Sequence, residues 1–179
     1  GRLRGVIDVR DAGALLRETG GCQRFGDAAG VGDLDRDGRG DFAVASPTTR
    51  RVHLYYGTPG APPTRRSEAD ADARFVSASG SALGAAVAAG DVDGDGRGDL
   101  LLGLGAAPGD HDFWLVRGGE ARFAGEVEVE RVGTRITAAT LAPLGDLDGD
   151  GRHELGATVR AGDPGPVSYT HLRAHETVL

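Results

Sequence analysis

The amino-acid sequence predicts an all-β protein that is built from repeated units. The first observation is an acidic, glycine-rich segment that occurs three times, as GDLDRDGRGDF, GDVDGDGRGDL and GDLDGDGRHEL, with its first aspartate at positions 33, 91 and 146. An interval of nearly sixty residues indicates a repeat architecture. The second observation is that apolar segments of strand length, such as 41–46 and 99–104, follow the acidic segments, and no amphipathic helix flanks them. Each acidic segment is therefore predicted to join two β-strands.

These acidic segments have the composition of cation-binding loops. Carboxylates at positions one, three and five of such a turn point toward one centre, where they repel one another unless a cation is present. Hard oxygen ligands favour Ca²⁺, which takes roughly 6–8 oxygens, over Mg²⁺, which keeps more of its water. No Cys/His cluster suggests zinc. Asp and Gly are also common in solvated turns, but three copies in one register favour metal binding. We expect about three Ca²⁺ ions, held by Asp33, Asp35, Asp37, Arg39, Asp41, Asp91, Asp93, Asp95, Arg97, Asp99, Asp146, Asp148, Asp150, Arg152 and Glu154.

The loops share only their first half with EF-hands. Glycine occupies position six of every copy, where it permits a sharp turn with positive φ. Arginine at position seven is expected to offer its backbone carbonyl, which leaves its side chain free to point outward. The bidentate glutamate that EF-hands carry at position twelve is absent, because these positions hold Val44, Leu102 and Ala157. An intracellular sensor with paired helices is therefore disfavoured.

The pattern resembles the FG-GAP repeat, also described as VCBS-type, which forms the blades of integrin α-subunit-like β-propellers. That repeat has an FG pair, a DxDxDGxxD loop, an apolar strand ending near GAP and a further strand. In the first copy these are Phe25-Gly26, Ala45-Ser46-Pro47 and residues 52–57. In the second they are Leu83-Gly84, residues 105–108 and residues 113–118. The third copy keeps its loop, with Ile136-Thr137 in place of FG and no GAP-like segment. The resemblance covers most of residues 1–162 and implies blades of four antiparallel strands.

The expected organisation is a partial propeller of about three blades. Residues 1–20 are predicted to be the second half of a preceding blade, followed by blades at 21–80 and 81–133 and a partial blade at 134–166. Strands are expected near 28–32, 41–46, 51–57 and 73–78, and near 85–90, 99–104, 112–117 and 126–132, with residues 58–72 as an exposed excursion. Because propellers have four to eight blades, we expect a fragment of a longer chain. Residues 167–179 resemble a translated sequencing adapter and are predicted to be non-native.

Composition and charge narrow the possible partners. The net charge is −7, and the three loops hold twelve of the 27 acidic residues. No basic stripe favours nucleic acid, no apolar run reaches the 18 or so residues of a membrane span, and the single cysteine, Cys22, allows no internal disulfide. The resemblance implies an extracellular or cell-surface protein that recognises a protein or glycan on a propeller face. Millimolar extracellular calcium suits loops of modest affinity.

Two other functions are alternatives to that of a binding module. Arg39-Gly40-Asp41 and Arg97-Gly98-Asp99 spell the RGD tripeptide that integrins bind, but their aspartates are expected to face calcium rather than a partner. Repeats of this kind also occur beside secreted hydrolases, so a catalytic domain outside this sequence is the alternative reading. No GxSxG or Cys/His nucleophile arrangement indicates an enzyme here, and His171 and His175 do not form the HExxH zinc motif.

Overall fold

The computed structural model describes residues 15–17, 27–46, 48–60, 65–80, 83–104 and 111–158. The regular secondary structure of these residues is β-strand, apart from one 3₁₀ turn at Glu68–Asp70 and one short helix, α1, at Val129–Val132. The strands are β1 Leu15–Arg17, β2 Ala28–Gly32, β3 Asp41–Ser46, β4 Arg51–Tyr55, β5 Arg65–Ser67, β6 Ala73–Val76, β7 Leu83–Gly90, β8 Asp99–Leu104, β9 His111–Val116, β10 Gly125–Glu128, β11 Gly133–Ala138, β12 Thr140–Gly145 and β13 Glu154–Thr158. The all-β prediction is confirmed. Residues 1–14, Cys22, Phe25-Gly26, residues 105–108 and the tail 167–179 lie outside the described residues.

The first sheet contains the four strands that were predicted for the first blade. Strands β2, β3, β4 and β6 pair antiparallel in that order, and β10 adds to the outer edge of β6 in parallel. Residues 58–72 were predicted to be an exposed excursion between β4 and β6, and residues 58–60 are exposed. The segment also contains a strand that was not predicted, β5, which pairs in parallel with β1. β1 lies within residues 1–20, for which the second half of a preceding blade was predicted.

The fourth strand of the second sheet differs from the sequence prediction. Its order is β7-β8-β9-β11, with antiparallel pairing throughout. The strand expected at 126–132 was wrong in length and in position, because it ends at Glu128, continues as α1 and pairs with the first sheet. The fourth strand is instead β11, in which Ile136 lies opposite Phe113. The alternating Glu126-Val127-Glu128 pattern identifies a half-buried strand, but Val127 packs against the core from the edge of the first sheet.

A two-stranded hairpin of β12 and β13 completes the described residues. The two strands are antiparallel, and the register shifts between Pro143 and Gly145. This hairpin agrees with the two strands that were expected in the third unit. The boundaries proposed for the units as domains remain predictions. Among the described residues, no helix has the length and the apolar character needed to span a membrane.

The hydrophobic core has two layers, one on each face of the second sheet. Leu100 and Leu102 point into the first cluster, which packs against the first sheet, whereas Leu101 points into the second cluster with Leu141 and Leu155 of the hairpin. Successive residues of a strand face opposite sides. The continuous run of leucines in β8 therefore marks a strand that is buried on both faces, and it places the second sheet between the other two units.

Candidate metal centre

Each acidic segment connects two neighbouring antiparallel strands, as predicted. The first loop (residues 33–41) joins β2 to β3, the second loop (91–99) joins β7 to β8, and the third loop (146–154) joins β12 to β13. The acid at position nine is the first residue of the following strand in all three cases. The loop and the strand therefore share a residue, which ties the position of the loop to the register of the sheet.

The glycines at position six adopt the conformation that the sequence predicts. Gly38, Gly96 and Gly151 have φ values of 83°, 80° and 87°. This left-handed region is readily accessible only to residues without a Cβ. The turn that brings the early carboxylates of each loop together depends on these glycines.

Position four requires the same left-handed backbone but is not always glycine. Gly94 and Gly149 have φ values of 79° in the second and third loops, whereas Arg36 has a φ of 61° in the first loop. A non-glycine residue in this region is uncommon and costs roughly 1–2 kcal/mol. The first loop is therefore locally strained in a way that its two counterparts are not.

Replacing Arg36 by glycine is expected to raise the free energy of unfolding by about 1 kcal/mol, because it removes this backbone strain. The reciprocal control is Gly149→Ala, since a Cβ at Gly149 meets no atom within 4 Å and its φ is +79°. That control is expected to lower stability by a similar amount through the backbone alone. Urea denaturation of the two variants in chelator measures both effects, and changes of the same sign in the two variants would contradict the interpretation.

Backbone N–H groups orient the carboxylates within each loop. The aspartate at position one accepts from the N–H at position six, with N···O distances of 2.7 Å for Asp33, 2.7 Å for Asp91 and 3.0 Å for Asp146. The aspartate at position five accepts from the N–H at position seven at 2.9 Å in all three loops. These repeated bonds leave the carboxylates of one loop close together and fixed in direction.

Two of the arginines at position seven, Arg39 and Arg97, pair with an acid of their own loop, which corrects the expectation that their side chains are free to point outward. The Nη1 atoms of Arg39 and Arg97 lie 2.8 Å from the carboxylates of Asp37 and Asp95, respectively. Desolvation works in the opposite direction, but hydrogen bonds from Arg39 and its charge hold the pKa of Asp37 below its ordinary value. The role predicted for the backbone carbonyls of Arg39, Arg97 and Arg152 as metal ligands stays a prediction.

The acids at position nine anchor the loops to the sheets. One oxygen of Asp41 accepts from the N–H of Leu34 at 2.8 Å and the other from Gly57 at 2.7 Å. Asp99 repeats this arrangement with Val92 at 2.9 Å and Gly118 at 2.9 Å. Sequence reasoning assigned these acids to calcium alone and missed the anchoring role, although their repeated position at the start of a strand was visible.

Burial sets the electrostatics of the anchoring aspartates. Asp99 is 1% exposed and Asp41 is 3% exposed. Desolvation raises the pKa of Asp99 to about 6 and also raises the pKa of Asp41. The backbone N–H donors lower both pKa values in part, and the negative charges of the neighbouring loop aspartates raise them further. Because both RGD aspartates are buried and hydrogen-bonded, neither tripeptide presents its carboxylate to a partner.

The carboxylates converge in all three loops, although the groups differ. Oxygen atoms within 4.8 Å of one another come from Asp146, Asp148, Asp150 and Glu154 in the third loop, from Asp91, Asp93 and Asp99 in the second, and from Asp33, Asp35 and Asp37 in the first. The third loop thus brings together all four of its predicted acidic side chains. The groups of the first two loops each contain three of the four.

Neighbouring loops are also joined to one another through backbone hydrogen bonds. The N–H at position eight donates to the carbonyl at position one of the preceding loop, from Gly98 to Asp33 at 2.8 Å and from His153 to Asp91 at 2.7 Å. The apolar residue at position two follows the same order: Leu34 and Val92 are 1% and 3% exposed, whereas Leu147 is 59% exposed. We call this arrangement the loop ladder. The recurring apolar residue at position two was the sequence signal that could have predicted it.

Successive antiparallel sheets whose acidic loops stack in register define a β-sheet repeat protein. Residues 33–102 match the model of the FG-GAP-like repeat family, so the chain carries an FG-GAP-like repeat that runs from the first loop into β8. The resemblance found in the sequence is thereby confirmed. A search of curated proteins found no significant match. Repeats of this family form structural β-propeller modules rather than catalytic ones, act in protein interactions and are typical of extracellular proteins.

Proposed function

We propose that this chain is a calcium-stabilised β-propeller module that acts outside the cell by presenting a binding surface. The observation that carries the proposal is the convergence of carboxylate oxygens in each loop, most completely in the third, where four acidic side chains lie within 4.8 Å of one another. So many anions at this distance repel strongly unless a cation neutralises them. The residues proposed as ligands are those predicted from the sequence in the second and third loops, and the first loop, in which Arg122 contacts Asp35 and Asp37, is a separate case.

The donor set fits Ca²⁺ better than other common ions. The side chains that converge offer only carboxylate oxygens, and Ca²⁺ takes 6–8 such hard ligands in flexible geometry. Asp99 and Glu154, which are buried at the base of their loops, would join the ion to the first residue of a strand. The bound ion supplies charge neutralisation and a cross-link between the two strands that flank each loop.

A calcium ion bound in one of these loops is expected to raise the free energy of unfolding and has no catalytic role in the proposal. An ion that binds the folded state alone stabilises it by RT ln(1 + [L]/Kd), which is about 2.7 kcal/mol at a concentration of one hundred times Kd. Extracellular calcium is roughly millimolar, so sites with the Kd of about 10⁻⁴–10⁻³ M that extracellular modules have are half to mostly occupied there. The exposed acidic loops would then contribute to the fold instead of opposing it.

Calcium addition to the chelator-treated full chain is therefore expected to release or absorb binding heat and to raise the melting temperature. Asp148→Asn combined with Asp150→Asn removes two of the four third-loop carboxylates and is expected to abolish about one bound ion and part of the thermal shift. Glu126→Gln is the matched control, because Glu126 is 58% exposed and pairs with Arg51 away from the loops. A folded chain that shows neither heat nor thermal shift with calcium would rule out the proposal.

The binding role rests on the family and on the loop ladder. FG-GAP-like repeats are protein-interaction modules, and we propose a protein or glycan partner on a propeller face. Leu147 is exposed at the position where Leu34 and Val92 are covered by the next unit, which supports the proposal that further blades of the full-length protein pack there. The alternative, a propeller region attached to a secreted hydrolase, stays a prediction about sequence outside this chain.

A further inference from the structure

Arg122 places a positive charge inside the first loop from a part of the chain that is distant in sequence. It lies in the connection that leads from β9 of the second sheet to β10 of the first sheet, whereas the first loop joins β2 to β3. Its Nε bonds to the carboxylate of Asp35, and its Nη2 lies 2.7 Å from Oδ2 of Asp37. The guanidinium therefore bridges the acids at positions three and five of one loop.

The guanidinium of Arg122 is held in this place by packing as well as by charge. Its Cζ lies 4.7 Å from the centroid of the Tyr56 ring, a distance that allows a cation–π contact. The adjacent Phe123 donates its N–H to the Tyr56 hydroxyl at 2.9 Å, and its ring meets Phe75 edge-on at a centroid distance of 5.3 Å. Both the side chain and the backbone next to it are thus anchored to the first sheet.

The acids that Arg122 contacts are largely removed from water. The side chain of Asp35 is 5% exposed and that of Asp37 is 19% exposed. Removing a carboxylate from water costs free energy unless a cation or several hydrogen bonds compensate. Arg122 supplies a planar, permanently charged fork that matches carboxylate geometry, so the protein itself provides the neutralising charge at this loop.

Among the described residues, no arginine from another part of the chain bridges the acids at positions three and five of the second loop. Arg117, which lies in the same connection as Arg122, is 3.5 Å from Asp93 and its side chain is 48% exposed. The groups of converging oxygens in the second and third loops also include the acid at position nine, whereas that of the first loop consists of Asp33, Asp35 and Asp37. The three loops are therefore unequal as metal sites.

We propose that Arg122 takes the place of the metal ion in the first loop, so that this loop is closed by an internal arginine and the second and third loops bind calcium. The proposal rests on the proposed function, since it assumes that the other two loops bind the ion. A guanidinium that bridges Asp35 and Asp37 excludes a Ca²⁺ ion from the same oxygens. Arg122 thereby replaces a metal ion within the first loop by a salt bridge from the connection between β9 and β10.

Calorimetric titration of the full chain with CaCl₂ after chelator treatment tests this proposal. The wild-type chain is expected to saturate at two ions, and Arg122→Gln is expected to saturate at three. In chelator the melting temperature of Arg122→Gln should fall below that of the wild type, because Asp35 loses its cation and Asp37 keeps only Arg39, and calcium should restore most of the difference. Arg117→Gln is the matched control and is expected to keep two ions, since Arg117 is similarly exposed but makes a longer contact.

Asp35→Asn gives a second test that does not depend on how well Arg122→Gln folds. If the first loop is closed by Arg122, this variant keeps the wild-type number of ions; if the loop is a calcium site, the number falls by one. Three ions in the wild type, or an unchanged number in a folded Arg122→Gln variant, would overturn the proposal while leaving calcium binding intact. No bound calcium in a folded wild type would instead contradict the proposed function.

Discussion

Replacing Asp99 by alanine is expected to lower the free energy of unfolding by about 2–4 kcal/mol in chelator. Asp99 is 1% exposed, and its two oxygens accept from the N–H groups of Val92 at 2.9 Å and Gly118 at 2.9 Å. Alanine leaves both donors without this acceptor, at about 1–3 kcal/mol each. Burial raises the pKa of Asp99, so its charge is unfavourable without a metal, and losing that charge offsets part of the cost.

Urea denaturation in the presence of chelator measures this loss apart from any loss of metal binding. Asp99→Asn retains one carbonyl acceptor and removes the charge, so its unfolding free energy should lie between those of the wild type and Asp99→Ala. Glu120→Ala is a surface control, since the Glu120 side chain is 91% exposed, and it should stay within about 0.5 kcal/mol of the wild type. If Asp99→Ala is as stable as Glu120→Ala, the anchoring role of position nine is wrong.

A second large effect is expected where the loops meet. Gly98 and Gly40 both occupy position eight, but a Cβ at Gly98 would lie 2.5 Å from the carbonyl oxygen of Val31 and 3.2 Å from Cα of Gly32, whereas a Cβ at Gly40 meets nothing within 4 Å. Backbone atoms cannot rotate away as a flexible side chain does. Gly98→Ala is therefore expected to cost about 3 kcal/mol, and Gly40→Ala less than about 0.5 kcal/mol.

The two alanine variants form a matched pair, because the residue type, the loop position and the substitution are the same. Thermal and urea unfolding of both in chelator report the difference. Equal stability of the two variants would mean that the second loop does not pack against the first as closely as described. A loss confined to Gly98→Ala would establish that the contact between the first two units contributes to the stability of the whole fold.

The sequence was informative wherever local chemistry decides the structure. Strands at 28–32, 41–46 and 99–104 were predicted with the observed bounds, because acidic turns with essential glycines delimit short apolar runs. The position-six glycines have the positive φ that was expected. Such features depend on neighbouring residues along the chain, which a single sequence displays directly.

The features that the sequence did not predict are those decided between units. The alternation of Glu126-Val127-Glu128 indicates a strand but contains no information about its partner, and β10 pairs with β6 in the first sheet. Arg122 and Asp35 are far apart in sequence, and no motif connects an arginine in one unit to an acidic loop in another. The hydrogen bonds that the acids at position nine accept were not predicted, because a role as a calcium ligand already explains an acid at that position.

The loop ladder couples each described loop to its nearest neighbour, as in a one-dimensional repeat protein. Each loop shares a backbone hydrogen bond with the loop before it, through Gly98 and then through His153, so ordering one loop aligns a donor or an acceptor for the next. In such nearest-neighbour systems, order spreads from unit to unit and is lost first at an uncovered end. An ion bound in the third loop would therefore stiffen its neighbour as well, and the ladder would transmit local calcium occupancy along the row of units.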